Sequence, residues 1–428
     1  MSVATFPQEA LSWLGRLPAG WHVKPLKHVV RVNPEALPNS TDPDWRMTYA
    51  DISSVFLGQG IVDAEELTFE EAPSRARRLV RPGDTLVSTV RTYLRAITVV
   101  RKPPQNLVAS TGFAVLRPGS AIDPNFLGYF ATSDAFVNAV VAQSVGVSYP
   151  ATNASDIVRL PIAFPAIGQQ QKIAAFLDRK TAEIDSLIAR KRRLLELLAE
   201  KRTALITRAV TKGLNPDAPM KDSGIEWLGE IPVHWHVTSF RWRCSVASGQ
   251  VDPCEPDYAA LPLIAPDHIE SNTGRLLEVT SADEQGAISG KYFFPKGTLL
   301  YSKIRPNLSK VCIAPFDGLC SADMYPIIPS NELETKYLMY QLLADRFKSY
   351  AVMQSLRVAM PKLNREALGS APIVVPPIEE QEDIIRYVDG VWAEIDGISS
   401  RIHAAIIKLE EYRSALITNA VTGQIKVA

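Results

Sequence analysis

Trp13-Leu14-Gly15-Arg16-Leu17-Pro18-Ala19-Gly20-Trp21-His22-Val23 returns as Trp227-Leu228-Gly229-Glu230-Ile231-Pro232-Val233-His234-Trp235-His236-Val237, an offset of 214 residues, which is half of the 428-residue length. The chain is therefore two copies of one unit. The same offset links Gly83, Ser88 and Arg91 to Gly297, Ser302 and Arg305. Farther along it becomes 211, joining Phe136 to Phe347, Gln143 to Gln354, Pro150 to Pro361, Asn153 to Asn364, Pro165 to Pro376 and Gln170 to Gln381. The match continues through Asp178 and Asp389, Glu183-Ile184-Asp185 and Glu394-Ile395-Asp396, and closes on Ala209-Val210-Thr211 and Ala420-Val421-Thr422. A period this long denotes duplicated domains rather than a solenoid, because each copy is long enough to bury its own core.

Within a copy the first part reads as mixed α/β. Short β-branched runs at 85–90, 96–100, 297–304 and 311–314 are bounded by Pro and Gly, the signature of strands. Residues 125–142 and 336–353 carry apolar residues three and four apart and read as one helix each. A proline-flanked stretch, 161–165 or 372–377, then leads into a long helix.

Those long helices carry a heptad. From 168 to 212 the apolar positions are Leu177, Ile184, Leu198 and Leu205, with Leu187, Ile188, Leu194 and Leu195 assigned to the intermediate seam; the second copy gives Val388, Ile395, Ile402, Leu409 and Leu416. Seven-residue spacing over about five repeats indicates a coiled coil, and at 1.5 Å per residue each helix is about 60 Å long. Residues 172–212 hold eleven basic and five acidic side chains, net +6, whereas 379–413 hold four and nine, net −5. Opposite nets favour pairing of the first helix with the second. Two homologous copies pair most simply about a pseudo-two-fold axis, with the helices antiparallel and a domain at each end. The fold class expected is α+β.

Composition restricts the function classes. With 46% hydrophobic and 21% charged residues the chain is globular rather than disordered. No apolar run approaches the roughly 20 residues of a membrane span, and residues 1–15 lack a basic segment followed by an apolar core, so a cytoplasmic location is expected. Cys244, Cys254, Cys312 and Cys320 show no Cys-x-x-Cys spacing and read as small apolar core residues. Lys plus Arg equals Asp plus Glu at 46 each, so any attraction for nucleic acid must be patterned locally.

Catalytic signatures are missing. Gly286-Ala287-Ile288-Ser289-Gly290-Lys291 is one residue short of a phosphate-binding loop, and neither a Gly-x-Gly-x-x-Gly turn nor an Asn-Pro-Pro-aromatic motif occurs. His234-x-His236 corresponds to Gly20-x-His22, so packing beside Trp235 is a better reading than metal binding. Asp323 with Glu334-Thr335-Lys336 only loosely resembles a nuclease cluster. No catalytic or metal-ligating residue is assigned.

What remains is basic and polar groups on loops beside strands. Ser88 through Arg95 and Ser302 through Lys310 are matched segments, mixing Arg91, Tyr93 and Arg95 in one copy with Lys303, Arg305, Asn307 and Lys310 in the other. Arg reads guanine edges, Asn reads adenine, and Lys and Ser hold phosphates, so this mixture suits DNA; a solvated turn is the alternative. A second matched pair offers Ser148 and Asn153 against Arg357, Lys362 and Asn364, where a conformational or helix-entry role competes with DNA contact.

Trp227 to Trp235, the Pro-Pro-Ile-x-Glu-Gln helix start at 376–381, and the Arg-x-x-Leu-Ile-x-x-Ala-Val-Thr-Gly ending at 413–423 together resemble the specificity subunit of type I restriction–modification systems. The first copy departs at Arg16 against Glu230, at Gln169 against Glu380, and at Lys212 before Gly213 where the second copy ends directly in Gly423. The resemblance implies a first target recognition domain at 1–165, a spacer helix at 166–213, a linker at 214–226, a second recognition domain at 227–376 and a second spacer helix at 377–424. It implies a non-catalytic reader of a bipartite, asymmetric double-stranded DNA target, docked to two methyltransferase (modification) subunits and joined by motor/endonuclease (restriction) subunits. S-adenosylmethionine, ATP and Mg belong to those partners, and no cofactor to this chain. Two other readings stand beside it. An enzyme with an unrecognised site would cleave in a divalent-metal-dependent manner on its own, and a coiled-coil scaffold would give no footprint on DNA.

Overall fold

The computed structural model describes residues 12–146, 150–355 and 361–427. The chain divides into two compact units, Met1–Lys191 with Ala404–Ala428, and Arg192–His403. Each unit therefore combines one mixed domain, the beginning of the helix that follows it, and the end of the other copy's helix.

In the first unit a four-stranded antiparallel sheet has the order Val30–Val32, Phe113–Pro118, Thr85–Ser88, Ile97–Val99. A second sheet runs Glu65–Thr68, Arg46–Ala50, Leu107–Ser110, Ala76–Leu79, with its two central strands parallel. Leu86, Phe113 and Val115 bury one core and Met47, Tyr49 and Val108 another. Asp84, fully buried, accepts two hydrogen bonds from Arg117 at 2.9 and 2.8 Å, which joins the start of one strand to the end of its antiparallel neighbour. The repeated Trp motif continues into strand His22–Pro25, which pairs antiparallel with Pro161–Phe164 and so lies against the run into the long helix.

The second unit repeats this plan. Cys244–Val246, Met324–Pro329, Leu299–Ser302 and Val311–Ile313 form the equivalent four-stranded sheet, and His236–Ser239 pairs with Pro372–Val375. Its other sheet has three strands, Leu263–Ile264, Gly318–Cys320 and Tyr292–Phe294, where the first unit has four. Trp235, Phe240, Leu299, Tyr301, Tyr337 and Tyr340 fill one core with Ile206, Ala209 and Val210 of the first long helix and Ile384 and Val388 of the second. The four β-branched runs become strands, each shorter than the run by one to four residues.

The helices read at 125–142 and 336–353 are each two. Pro124–Thr132 and Asp134–Ala142 are separated by Ser133 in an extended conformation, and Thr335–Leu343 and Asp345–Ser355 by Ala344 at the same φ and ψ of −67° and 144°. Ser133 donates its hydroxyl to the Phe130 carbonyl at 2.6 Å and accepts the Phe136 amide at 3.3 Å, ending one helix and capping the next. Ala344 has no such side chain, so the break there is set by packing, and apolar spacing alone does not reveal it.

The long helices span Ile167–Lys212 and Ile378–Val421. Leu177, Ile184, Ile188, Val388, Ile395, Ile402 and Leu416 are buried, as the heptad requires. Leu187 and Leu194 are exposed rather than part of the seam. A straight helix turns every 3.6 residues, so a leucine beside a 3.5-residue stripe drifts out of it. Within the first unit the Gln169 amide reaches the Val427 carbonyl at 2.9 Å and Arg413 bonds Asp185 at 2.9 Å, which sets the two helical segments antiparallel. Within the second, Arg202 pairs with Asp396 and lies 5.5 Å over the Trp392 ring. Asp185 matches Asp396 and Arg202 matches Arg413 at the offset of 211. These cross-helix pairs are copies of each other, and so do not depend on the opposite net charges.

Cys244, Cys312 and Cys320 are buried, but Cys254 is exposed. It sits in the turn that Asp252 closes by accepting the Cys254 amide at 2.9 Å, outside any core.

Candidate nucleic-acid interface

Strand Thr85–Ser88 ends in Thr89 and Val90, and the chain then turns sharply through Thr92–Leu94. Arg91 and Arg95, flanking that turn, adopt left-handed φ values of 48° and 54°. The second unit repeats the geometry: Arg305 and Ser309 flank Pro306–Leu308 with φ of 48° and 41°. Non-glycine residues avoid this region, so four such residues at matched positions mark a turn the surrounding structure holds by force.

The holding element is the other predicted loop. The Arg91 amide donates to the Pro150 carbonyl at 2.7 Å and Val90 bridges Ala151; the Arg305 amide donates to Pro361 at 3.0 Å and Ile304 bridges Lys362. The two loop pairs read as separate candidates thus form one clasp in each unit. Ser88 and Ser302 sit beneath it, each buried and donating to the carbonyl two residues on.

The candidate residues differ in what they are free to do. Tyr93, Arg305, Asn307 and Lys362 are exposed at the clasp, as is Arg91. Arg95 is drawn sideways to Asp134 at 2.7 Å. Lys303 donates to the Ala322 carbonyl at 2.5 Å and Lys310 to Pro266 at 2.6 Å, so both ammoniums brace neighbouring turns. Asn153 and Asn364 are helix N-caps: Asn364 accepts the Ala367 amide at 2.7 Å, while Asn153 donates to Asp156 at 3.3 Å. Ser148 and Arg357 lie outside the described residues.

Sequence reading missed a basic strand. Arg75, Arg77, Arg78 and Arg81 lie in and beside Ala76–Leu79, and their density in a neutral chain was the available signal. Arg75 bonds Tyr49 and Asp51 at 3.1 and 2.8 Å, Arg77 stacks 4.7 Å over Phe69, and Arg81 pairs with Glu35 at 2.7 Å. Arg78 has a buried Nε with no hydrogen-bond partner, and burial lowers its guanidinium pKa. At the matching strand the second unit has Tyr292-Phe293-Phe294.

The chemistry considered and set aside stays apart. His234 Nε2 lies 2.6 Å from one Glu380 oxygen while Trp235 donates to the other at 2.8 Å. Lys336 bonds Asp389 at 2.7 Å, away from Asp323, which faces Lys303 at 3.5 Å. Lys291 folds back on Ser289. Among the described residues no group of three or more His, Cys, Asp or Glu is placed to hold a metal, and no helix is long and apolar enough to cross a membrane.

Two glutamines anchor the long helices. Gln170, fully buried, donates to the carbonyls of Ala121 and Pro165 at 3.1 and 2.9 Å and accepts the Asp123 amide at 2.8 Å. Gln381 does the same to Glu332, Pro376 and Glu334 at 2.9, 2.9 and 2.8 Å. The far ends are fixed too. Thr418 accepts the Asp134 amide at 3.1 Å and Thr207 the Asp345 amide at 3.0 Å. Gly423 and Gly213, with φ of 74° and 72°, end the helices against the Trp motifs; a Cβ on Gly423 would stand 2.6 Å from Pro18. The motif quoted first is thus the seat for a helix end.

Comparison with known proteins adds the following. The family described as type I restriction modification DNA specificity domain matches residues 18–197 and 255–406. The type I restriction enzyme EcoDI specificity subunit of Escherichia coli is 31% identical over 295 residues, which is 65% of this chain and 66% of that protein, just under two thirds of its length. Among solved structures, a chain from a study of assembly and conformational transition in the type I R-M system superposes with a TM-score of 0.68 at 23% identity, covering 96% of this chain and all of that one. The HsdS subunit from Thermoanaerobacter tengcongensis gives 0.53 at 22%, covering 96% and 98%. At these identities the structures speak to the fold.

Proposed function

The chain belongs to the type I restriction–modification DNA specificity family, a family that confers sequence specificity and is itself non-catalytic, and on that premise we propose that its two recognition domains read the two halves of a bipartite, asymmetric DNA target. The observation that carries this is the repeated clasp. One strained turn is built twice on the same scaffold, and its most outward position differs, Tyr93 against Asn307. Duplicated supports with divergent tips suit two different half-sites.

In this reading Arg305 and Asn307 reach base edges in the second half-site, with Lys362 beside them on backbone phosphate. Arg91 and Tyr93 do so in the first half-site. Arg95, Lys303 and Lys310 hold the turns in shape, and Asn153 and Asn364 set the helix that follows each clasp.

The long helices dock two methyltransferase subunits, with motor/endonuclease subunits completing the restriction complex. S-adenosylmethionine, ATP and Mg act in those subunits, and the assembly works in the cytoplasm. The test is methylation by the reconstituted modification complex on DNA libraries in which each half-site is randomised separately. Arg91→Ala and Arg305→Ala are each expected to change one half-site only. Wild-type preference from both variants would show that the clasps do not face DNA.

A further inference from the structure

The two tips differ in solvation as well as in sequence. In the first unit Thr92 points inward, its hydroxyl 2.7 Å from that of Ser144, and this turns Tyr93 and Leu94 outward with 53% and 52% of their surfaces exposed. Val145, beside Ser144, is 81% exposed, and its amide and carbonyl are both bonded to Ala151 at 2.9 and 3.0 Å. Three large apolar side chains are therefore held in water on one rigid tip, flanked by Arg91 and Arg95. In the second unit the buried Pro306 replaces Thr92, Asn307 takes the outward place, and Leu308 is half-buried against the loop whose Asn272 amide bonds the Leu308 carbonyl at 3.1 Å.

Apolar groups on a braced tip need an apolar counterpart. On DNA base edges the C5 methyl of thymine is that counterpart, because it is the one apolar group that projects from a base into the major groove. We propose that Tyr93, Leu94 and Val145 form a thymine-methyl-reading tip, so that the half-site of the first domain is specified in part by thymine methyls and that of the second is not read by this tip. This rests on the reading that the clasps face DNA.

Deoxyuridine tests it, since replacing thymine by uracil removes the methyl and keeps every hydrogen bond. The wild-type chain in its complex with the methyltransferase subunits is titrated with its recognised duplex, each thymine being replaced in turn. Arg91→Ala and Arg305→Ala on the randomised libraries first assign each half-site to its domain. At least one replacement in the first domain's half-site is expected to weaken binding about four-fold, the value of one buried methyl-sized group. The Leu94→Ser, Val145→Ser double variant, whose changes are both on exposed positions, is expected to lose that discrimination while treating the second half-site as the wild type does.

Indifference to uracil throughout the first half-site, or a half-site without thymine, overturns the proposal while leaving the two-half-site reading intact. Weaker association of the double variant with the methyltransferase subunits, with thymine still preferred over uracil, would make the tip a protein contact and overturns it as well. If the complex shows no sequence preference at all, the functional reading fails and this inference with it.

Discussion

Gln170 and Gln381 show how much one buried side chain can determine. Each satisfies two carbonyls and one amide where a domain meets the first turn of its long helix, and the Pro165 and Pro376 carbonyls among them are buried. Gln381→Leu fills the volume but leaves the buried Pro376 carbonyl unpaired, at about 1–3 kcal/mol, and removes two further bonds to the Glu332 carbonyl and the Glu334 amide. Urea unfolding is expected to show a loss of at least about 2 kcal/mol; a loss below 0.5 kcal/mol would mean that the anchor is not structural. The thiols offer a second check at this scale. Burial raises the pKa of Cys244 and Cys312 to about 12 and that of Cys320 higher still, so at neutral pH these three stay protonated and unreactive. In the native protein an alkylating reagent is expected to label Cys254 alone, and all four after denaturation; more than one label on the native protein would contradict the core described here.

At the scale of elements, the sequence was informative where one physical pattern dominates. Val388, Ile395, Ile402 and Leu416 stand at multiples of seven and are buried because a coiled-coil seam favours apolar side chains there. Leu187 and Leu194 carry the same chemistry and lie outside the seam, since composition alone cannot say which of several leucines faces inward. The breaks at Ser133 and Ala344 were not legible either: one extended residue leaves the apolar spacing unchanged. The matched loops could be found because both copies kept them. Their union into a clasp could not, for it depends on backbone bonds between segments about 60 residues apart. Pairing of Asp185 with Arg413 defines where an insertion keeps register. A heptad after Leu187, matched by one between Glu410 and Glu411, lengthens both helices by about 10 Å and preserves the seam. If these helices set the distance between the half-sites, the unspecified spacer of the target is expected to grow by about three base pairs at 3.4 Å each. An unchanged spacer in an active, folded variant would remove the helices from that role.

For the whole molecule the governing fact is duplication followed by unequal divergence. Anchoring residues were kept in pairs: Gln170 and Gln381, Thr207 and Thr418, Asp185 and Asp396. The outward residue at the turn was not, as Tyr93 against Asn307 shows. That division is what two readers on one frame require, and it separates the residues that make the fold from those that choose the sequence. The near-zero formal charge fits as well, because nonspecific attraction to phosphate is then weak and discrimination falls to the tips. The account's central claim is that each domain specifies its own half of the target. Methylation by the reconstituted complex, read by sequencing on a library with both half-sites randomised, tests this most directly when the wild type is compared with Arg305→Ala. The account predicts two specified blocks around an unspecified spacer, with Arg305→Ala relaxing one block at a cost of about 1–3 kcal/mol and leaving the other unchanged. A single continuous site, or equal relaxation of both blocks by Arg305→Ala, would contradict it.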